Sequence, residues 1–294
     1  MTTAEQAEVL EKASEHWHES DIAAKYSRAE SATRPYAEIM VQKAGIDKLE
    51  GEANVLDLAC GSGAVTAAIY KALPKQKWDS VKVLGGDISQ GMLDYLKARG
   101  KKEGWKGLET KIVDGTNIQL EKNSFTHLFI NFGIFVLPPS TLSACHSLLR
   151  PGGFIAISTW VYFPWYPLIS HATSQLPNPP TIPTEAEVDS MIHAGHAWNT
   201  SEFVEQVLKD AGFTDVETVK GRRSIDCGTP QQFTDTMWMP LQLFAAGWDE
   251  GKKHQLVKDV TGELRKTAAE HAGGEDKHFF MDFEAIVGTG RKAE

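Results

Sequence analysis

The feature that most constrains this chain is a glycine loop between a short apolar run and a helical pattern. The run at 54–58 stops at Gly61 and Gly63, and a helical pattern follows at 64–73 before Pro74 ends it. An apolar run that stops at a glycine loop is typical of a strand buried in a parallel sheet. Glycines let a ligand approach the backbone, and the amino terminus of the following helix favours negative charge.

The same alternation continues along the chain. Further apolar runs fall at 81–85, 110–113, 127–130 and 154–158, with helical patterns at 90–99 and 140–149. Strands and helices alternating at this spacing predict an α/β, Rossmann-like, doubly wound and mainly parallel sheet. Later patterns comprise a helix at 201–211, a strand at 216–219, a helical stretch at 231–271 and a strand at 282–288. They predict seven strands, with a helical insertion before the last one and an antiparallel edge.

The predicted domain boundaries follow from where the alternation of strand and helix patterns begins and ends. We expect residues 1–45 to form a helical N-terminal lid, with helices at 4–19 and 35–44. Residues 46–294 are expected to form the Rossmann-like domain, with substrate-cap insertions at about 160–200 and 230–275. The stretch 160–183 is dense in aromatic residues and prolines, which predicts an irregular segment.

Composition excludes several classes of protein. The formal net charge of −9 disfavours a nucleic-acid partner, which requires a basic surface. Three distant cysteines form no C-x-x-C pair, which disfavours a disulfide framework or a structural zinc site. The start of the chain is polar, and the apolar run at 128–137 is too short to span a bilayer. We therefore expect a cytoplasmic protein without a membrane partner; the pattern does not predict its oligomeric state.

Acidic residues end three of the predicted strands. Because ligands bind beyond the carboxyl ends of parallel strands, Asp57, Asp87 and Asp114 are candidate ligand contacts. Asp57 would sit badly beside a pyrophosphate but suits an ammonium group, and Thr66 replaces the third glycine of a dinucleotide loop. Asp87 can accept hydrogen bonds from two ribose hydroxyls, and Asp114 can accept one from an adenine amino group. We expect the adenine faces to pack against Ile88 and Met92.

These motifs together resemble the class I S-adenosylmethionine-dependent methyltransferases, in their small-molecule, natural-product tailoring and ubiquinone-biosynthesis-like branches. The segments DLACGSG, GDIS, VDG and LLRPGG occur in the family's order within residues 50–160. The resemblance implies that S-adenosyl-L-methionine is the cofactor and that the strand-end acids and the glycine loop hold it. The positions it implies for cofactor binding, with Ile88 and Met92, are Asp57, Ala59, Gly61, Gly63, Asp87, Asp114, Gly115, Asn131 and Phe132.

The start of the chain carries a looser resemblance. Residues 23–45 resemble the helical lid of fungal natural-product methyltransferases, including thiol-methylating ones. It implies a cofactor contact for Tyr26 and a substrate contact for Tyr36. Asn131 follows the fourth strand, where some branches place an acidic residue and a proline for amine substrates. That difference makes an amine acceptor of that kind less favoured.

The acceptor is expected to meet an aromatic wall after the fifth strand. Aromatic rings suit a flat or apolar molecule and attract a cationic sulfonium, which makes Trp160, Tyr162 and Trp165 candidate substrate contacts. His193 and His196 are candidate general bases, although a thiolate or a neutral amine needs none. No Asp, Glu or Cys accompanies these histidines at ligand spacing, so we expect no metal.

The predicted function is methyl transfer from S-adenosylmethionine to an oxygen, sulfur or nitrogen atom of a small molecule by in-line displacement. Two alternatives stay open. A non-methylating S-adenosylmethionine binder would carry the same cofactor motif. A nicotinamide-dependent oxidoreductase is disfavoured by Thr66 in the glycine loop.

Overall fold

The computed structural model describes residues 28–294. The helix expected at 4–19 and Tyr26 lie outside the described residues. The sheet has seven strands in the order β3-β2-β1-β4-β5-β7-β6. Their bounds are β1 Ala53–Leu58, β2 Val81–Asp87, β3 Leu108–Ile112, β4 Phe125–Asn131, β5 Leu149–Trp160, β6 Thr214–Asp226 and β7 Phe280–Arg291.

The sheet is parallel from β3 through β5, and β7 runs antiparallel to both of its neighbours. The α/β Rossmann-like prediction is confirmed, and the two late strands add the expected antiparallel edge to the parallel sheet. β7 lies inside the sheet, where Ala285, Ile286 and Val287 are buried, and β6 forms the edge. The sequence shows that β6 and β7 come last in the chain, but it does not show which of them pairs with β5. The buried side chains of β7 agree with its position between β5 and β6.

Ten α-helices are present within residues 28–294. Their bounds are α1 Glu30–Lys43, α2 Ala64–Ala72, α3 Gln90–Glu103, α4 Thr141–Leu148, α5 Tyr166–Ser174, α6 Glu185–Ile192, α7 Ser201–Asp210, α8 Pro230–Thr236, α9 Trp238–Ala245 and α10 Glu250–Ala272. Short 3₁₀ turns at Ile46–Lys48, Lys75–Ser80 and Ile134–Val136 connect the elements. Within this part of the chain, no helix has the length and apolar character needed to cross a membrane.

Two helices differ from the sequence prediction in their bounds. α1 begins at Glu30 instead of residue 35, so Pro35 lies inside the helix. α3 continues through Gly100 and ends at Glu103, with Gly104 in the left-handed conformation as its cap. Packing leaves no space for a side chain at Gly100, because a Cβ there would lie 2.5 Å from Leu108 Cδ2.

The stretch expected to be irregular contains helix α5. Pro167 lies at the start of this helix, where its missing N–H has no intrahelical partner to lose. Leu168 and Ile169 of α5 pack with Phe244 and Leu264 in a second hydrophobic cluster, separate from the core of the sheet. Helices α5, α6, α8, α9 and α10 therefore fall in the two predicted insertions and share a core of their own.

Candidate active site

A cavity of about 670 Å³ lies at the carboxyl ends of the parallel strands. Its lining includes Asp57 near the end of β1, Asp87 at the end of β2 with Ile88 after it, and Asn131 at the end of β4. A further wall comes from the helical insertions, the end of β6 and the start of β7. Ligand pockets of roughly 300–1,000 Å³ are typical of small-molecule and cofactor sites.

The glycine loop turns through three left-handed residues, with φ of +53° at Ala59, +50° at Gly61 and +86° at Gly63. The Gly61 N–H donates to Asp87 Oδ2 at 2.9 Å, which ties the loop to the end of β2. Gly63 does not line the cavity; a Cβ there would lie 2.3 Å from Leu96 Cδ1. Gly63 therefore lets the loop pack on α3, while Ala59 and Gly61 face the ligand space.

Asp57 is a buried carboxylate in the lining of the cavity, with 1% of its surface exposed. Its Oδ2 accepts hydrogen bonds from the Thr66 hydroxyl at 2.7 Å and from the Thr66 N–H at 3.1 Å. Burial raises the pKa of Asp57 to about 7, although the Thr66 hydrogen bonds oppose this change. The carboxyl group is thus poised to ionise near neutral pH when a cation lies against it. Thr66, which departs from a dinucleotide loop, acts here as the partner of Asp57.

Asp87 lies beside the loop and orders the turn into α3. Its Oδ1 accepts from the Ser89 N–H at 2.9 Å, and Ser89 caps α3 by accepting from the Met92 N–H at 3.3 Å. Ile88, Val113 and Leu137 add apolar surface to the same part of the cavity. Val113 and Leu137 were not among the predicted contacts.

Met92 and Asp114 were expected at the adenine, and neither lines the cavity. Met92 is fully buried because it lies on the face of α3 that packs against the protein interior. Asp114 is exposed, and its Oδ1 accepts from the N–H and the hydroxyl of Thr116, closing a local turn. Gly115 does line the cavity, and its carbonyl accepts from the Thr141 hydroxyl at 2.9 Å.

The junction after β4 is held by a hydrogen-bonded serine. Ser158 on β5 donates to Asn131 Oδ1 at 2.9 Å and accepts from the Phe132 N–H at 3.0 Å. Phe132 has φ of +57°, and its ring stacks on Trp160 with centroids 3.8 Å apart. Asn131, Phe132 and Trp160 all line the cavity, so this stack forms one of its walls.

The four predicted acceptor contacts divide into two groups. Trp160 and Trp165 line the cavity, whereas Tyr36 and Tyr162 do not. Tyr36 is fully buried and donates to the carbonyl oxygens of Phe283 and Gly221, so its hydroxyl anchors α1 to the sheet edge. Tyr162 donates to a backbone carbonyl of β7 and lies outside the cavity lining. These two tyrosines support the walls rather than touch the ligand space.

The structure does not bring the two predicted histidines to the cavity. His196 is exposed and stacks on Phe203, because it lies in the turn before α7. His193 is fully buried behind Phe135 and Phe163, two residues that line the cavity. Its Nδ1 lies 3.1 Å from an Asp189 carboxylate oxygen, but neither ring nitrogen makes a hydrogen bond to a described residue.

Sequence reasoning also missed an ion pair that fastens α1 to the glycine loop. Glu30, with 3% of its side chain exposed, pairs with Arg99 at 2.7 Å and accepts from the Ser62 hydroxyl at 2.7 Å. Arg34 pairs with the same carboxylate at 2.8 Å. Although burial opposes them, these partners leave the pKa of Glu30 below its usual value. Arg99 lies at the end of the helical pattern at 90–99, and only its partner 69 positions away in the chain shows its role.

A second missed pair lies where β6 ends and β7 begins. His278 Nδ1 lies 2.9 Å from Asp226 Oδ2 and 3.0 Å from Oδ1, and both residues line the cavity. Asp226 ends β6, and His278 precedes β7, so the hydrogen-bonded strands bring them together. The two are 52 positions apart in the chain, so no local motif marks them.

Comparison with known proteins agrees with this geometry. Residues 55–153, which contain the glycine loop and the strand-end acids, match a family model described as a methyltransferase domain. Methyltransferase tpcH of Aspergillus fumigatus is 29% identical over 281 residues, covering 94% of this chain and 98% of that protein. The acetylaranotin bis-thiomethyltransferase of Aspergillus terreus is 26% identical, covering 92% of this chain and 94% of that protein.

Solved structures share the fold. A putative methyltransferase of Bacillus halodurans has a TM-score of 0.52 at 18% identity, covering 88% of this chain and 99% of that one. The phosphoethanolamine N-methyltransferase 2 of Haemonchus contortus, solved with S-adenosyl-L-methionine, has a TM-score of 0.52 at 18% identity over 88% of this chain. The present chain spans about half of that protein, 53% of its length. The methyltransferase domain at residues 55–153, the glycine loop and the relatives together support a class I S-adenosylmethionine-dependent methyltransferase.

Proposed function

We propose that this enzyme methylates an oxygen, sulfur or nitrogen atom of a flat, largely apolar small molecule. The observation that carries the proposal is the continuity of one cavity, which joins the strand-end carboxylates to an aromatic wall. Such a cavity has room for a polar cofactor at one end and an apolar acceptor at the other.

The strand-end residues fit the chemical groups of S-adenosylmethionine. Asp57 would hold the ammonium group, because it is a buried carboxylate beside the turn formed by Ala59 and Gly61. Asp87 would hold the ribose hydroxyls, because its carboxylate ends β2 at the cavity and lies beside the glycine loop. Ile88 and Val113 would supply an apolar slot for the adenine.

The acceptor would lie against the stack of Phe132 on Trp160 and against Trp165. Stacked rings bind flat molecules and also stabilise a neighbouring positive charge. A net charge of −9 and a largely apolar cavity lining disfavour a nucleic-acid substrate. A relative named as a bis-thiomethyltransferase supports the inclusion of sulfur among the acceptor atoms.

The bound cofactor supplies a methyl group on a cationic sulfur, which leaves as a neutral thioether. The protein's contribution is to bind both reactants in line and to exclude water with the aromatic wall. The hydrogen bond from the Gly61 N–H to Asp87 holds the glycine loop in place beside the cofactor end of the cavity. Fixing the geometry of two reactants accounts for much of the rate in reactions of this kind.

Product analysis tests this proposal against its alternative, a binder that does not methylate. The protein would be incubated with S-adenosylmethionine carrying a labelled methyl group and a panel of naphthols, thiophenols and arylamines. We expect label in a panel member together with an equal amount of S-adenosylhomocysteine. Tight cofactor binding with no labelled product from any member would contradict the proposed acceptor class and favour the non-methylating alternative.

A Trp160→Leu variant sharpens the comparison. It removes one face of the aromatic stack and leaves the strand-end carboxylates in place. We expect KM for the acceptor to rise while the affinity for S-adenosylhomocysteine changes little. Tyr162→Phe is the matched control, because Tyr162 lies outside the cavity lining.

A further inference from the structure

The pair formed by Asp226 and His278 has the geometry of a fixed imidazole. Asp226 is held in turn, since its Oδ1 also accepts from the Gly228 N–H at 2.8 Å. Around the pair the two strands continue to bond, with the Cys227 N–H donating to the Phe279 carbonyl at 3.0 Å. The carboxylate therefore has a set position, and the imidazole has a set partner at Nδ1.

An imidazole whose Nδ1–H is donated to a carboxylate carries its free lone pair on Nε2. This arrangement is the one that orients histidine bases in other enzymes. The hydrogen bond from His278 also holds the pKa of Asp226 below its usual value, so the carboxylate stays ionised and keeps its partner.

His278 is also distinctive among the residues that line the cavity. Within the described part of the chain, it is the only histidine in that lining, which contains no lysine, glutamate or tyrosine. Burial raises the pKa of Cys227 to about 12 and that of Cys60 well above its usual value, so both remain neutral thiols. Asp57 and Asp87 lie on β1 and β2, which β4 and β5 separate in the sheet from the strands β7 and β6 that position the pair.

We propose that His278, oriented by Asp226, is the general base that removes the proton from a hydroxyl or thiol acceptor in this cavity. This inference rests on the proposed function and adds to it a class of acceptor, one with an ionisable O–H or S–H. Asp226 is a positioning residue, because it acts through the imidazole.

The step balances without a further reactant. The acceptor's O–H or S–H bond breaks, and its proton goes to Nε2 of His278. The freed electron pair on oxygen or sulfur forms the bond to the methyl carbon. The bond between that carbon and the cofactor sulfur breaks, and its electron pair stays on the sulfur. About half of the His278 side chain is exposed, 51%, so the imidazolium can return its proton to water.

The first test reads the imidazole directly and needs no acceptor. The protein would carry ¹⁵N-labelled histidine and be saturated with S-adenosylhomocysteine, and the His278 signals would be assigned by their loss in His278→Gln. We expect the Nδ1–H tautomer in the wild-type protein and a mixture of tautomers in Asp226→Asn. Asp226→Glu should restore the wild-type pattern. An Nε2–H tautomer in the wild type, or spectra unchanged by Asp226→Asn, would overturn the proposal.

The second test measures turnover with acceptors of different acidity. His278→Gln should lower kcat for 2-naphthol about 10²–10⁴-fold, the range of general-base catalysis, with little change in KM. It should change kcat little for 4-nitrothiophenol, which is already ionised at the assay pH. His196→Gln is the matched control, since His196 does not line the cavity. Equal turnover of 2-naphthol by His278→Gln and the wild type would overturn the proposal.

The two tests separate this inference from the proposed function. If the wild-type enzyme methylates no phenol or thiol, the proposed acceptor class fails, and the tautomer experiment still decides whether the imidazole is oriented as a base. Calorimetry with S-adenosylhomocysteine shows whether each variant is folded, because β4 and β5 separate the strands of Asp57 and Asp87 from the strands that position Asp226 and His278.

Discussion

The raised pKa of Asp57 predicts that cofactor affinity depends on pH. In the free protein, burial raises the pKa of this carboxyl to about 7, and the charges of Asp87 and Glu30 add to the increase. A ligand ammonium group binds the ionised form, so its affinity should follow the ionised fraction of Asp57. That fraction grows from about one tenth at pH 6 to about three quarters at pH 7.5, a change of about eightfold. Affinity should therefore rise with pH.

Calorimetric titration with S-adenosylhomocysteine at several pH values measures this dependence. Binding at pH 6 should release protons, which two buffers with different ionisation enthalpies would count. Asp57→Asn should bind more weakly and lose the dependence on pH. 5′-Methylthioadenosine is the control ligand, because it lacks the ammonium group and should bind with the same affinity across this range. Affinity that falls with pH, or an unchanged profile in Asp57→Asn, would refute the reasoning.

Three further predictions concern stability and turnover. Gly63→Ala should destabilise the protein by about 1–3 kcal/mol more than Gly45→Ala in denaturant unfolding; both have positive φ, but only Gly63 has no space for a Cβ. A difference below about 0.5 kcal/mol would show that the loop relaxes. Arg99→Met should cost about 2 kcal/mol, since it removes charged hydrogen bonds from a buried carboxylate, whereas the exposed Lys101→Met should be near neutral. Equal unfolding midpoints for Arg99→Met and Lys101→Met would refute the role of Arg99 in anchoring α1. His196→Gln should retain wild-type turnover, and a large loss would restore this exposed residue as a candidate base.

The parallel half of the fold could be predicted from the sequence because each of its signals is local. An apolar run, a glycine loop and a helical pattern lie within twenty residues of one another around Asp57, and the same logic places Asp87. The position of β7 inside the sheet could not be predicted in this way. It depends on pairing between strands that are far apart in the chain, which leaves no local pattern.

The site followed the same division. Asp57 and Asp87 lie at strand ends and Gly61 lies in the loop after β1, and all three line the cavity. Asp114 lies two residues after the end of β3, and its short side chain bonds within its own turn instead. Asp226 and His278 are brought together only by the tertiary fold, so no local pattern could select them, and the histidines that the sequence did select, His193 and His196, do not line the cavity.

A crystal structure with S-adenosylhomocysteine tests the central claim most directly. The account predicts the ligand at the carboxyl ends of β1 and β2, with its ammonium group on Asp57, its ribose on Asp87 and its sulfur facing the stack of Phe132 on Trp160. A ligand bound elsewhere, or bound with its ribose away from Asp87, would contradict the assignment of the site.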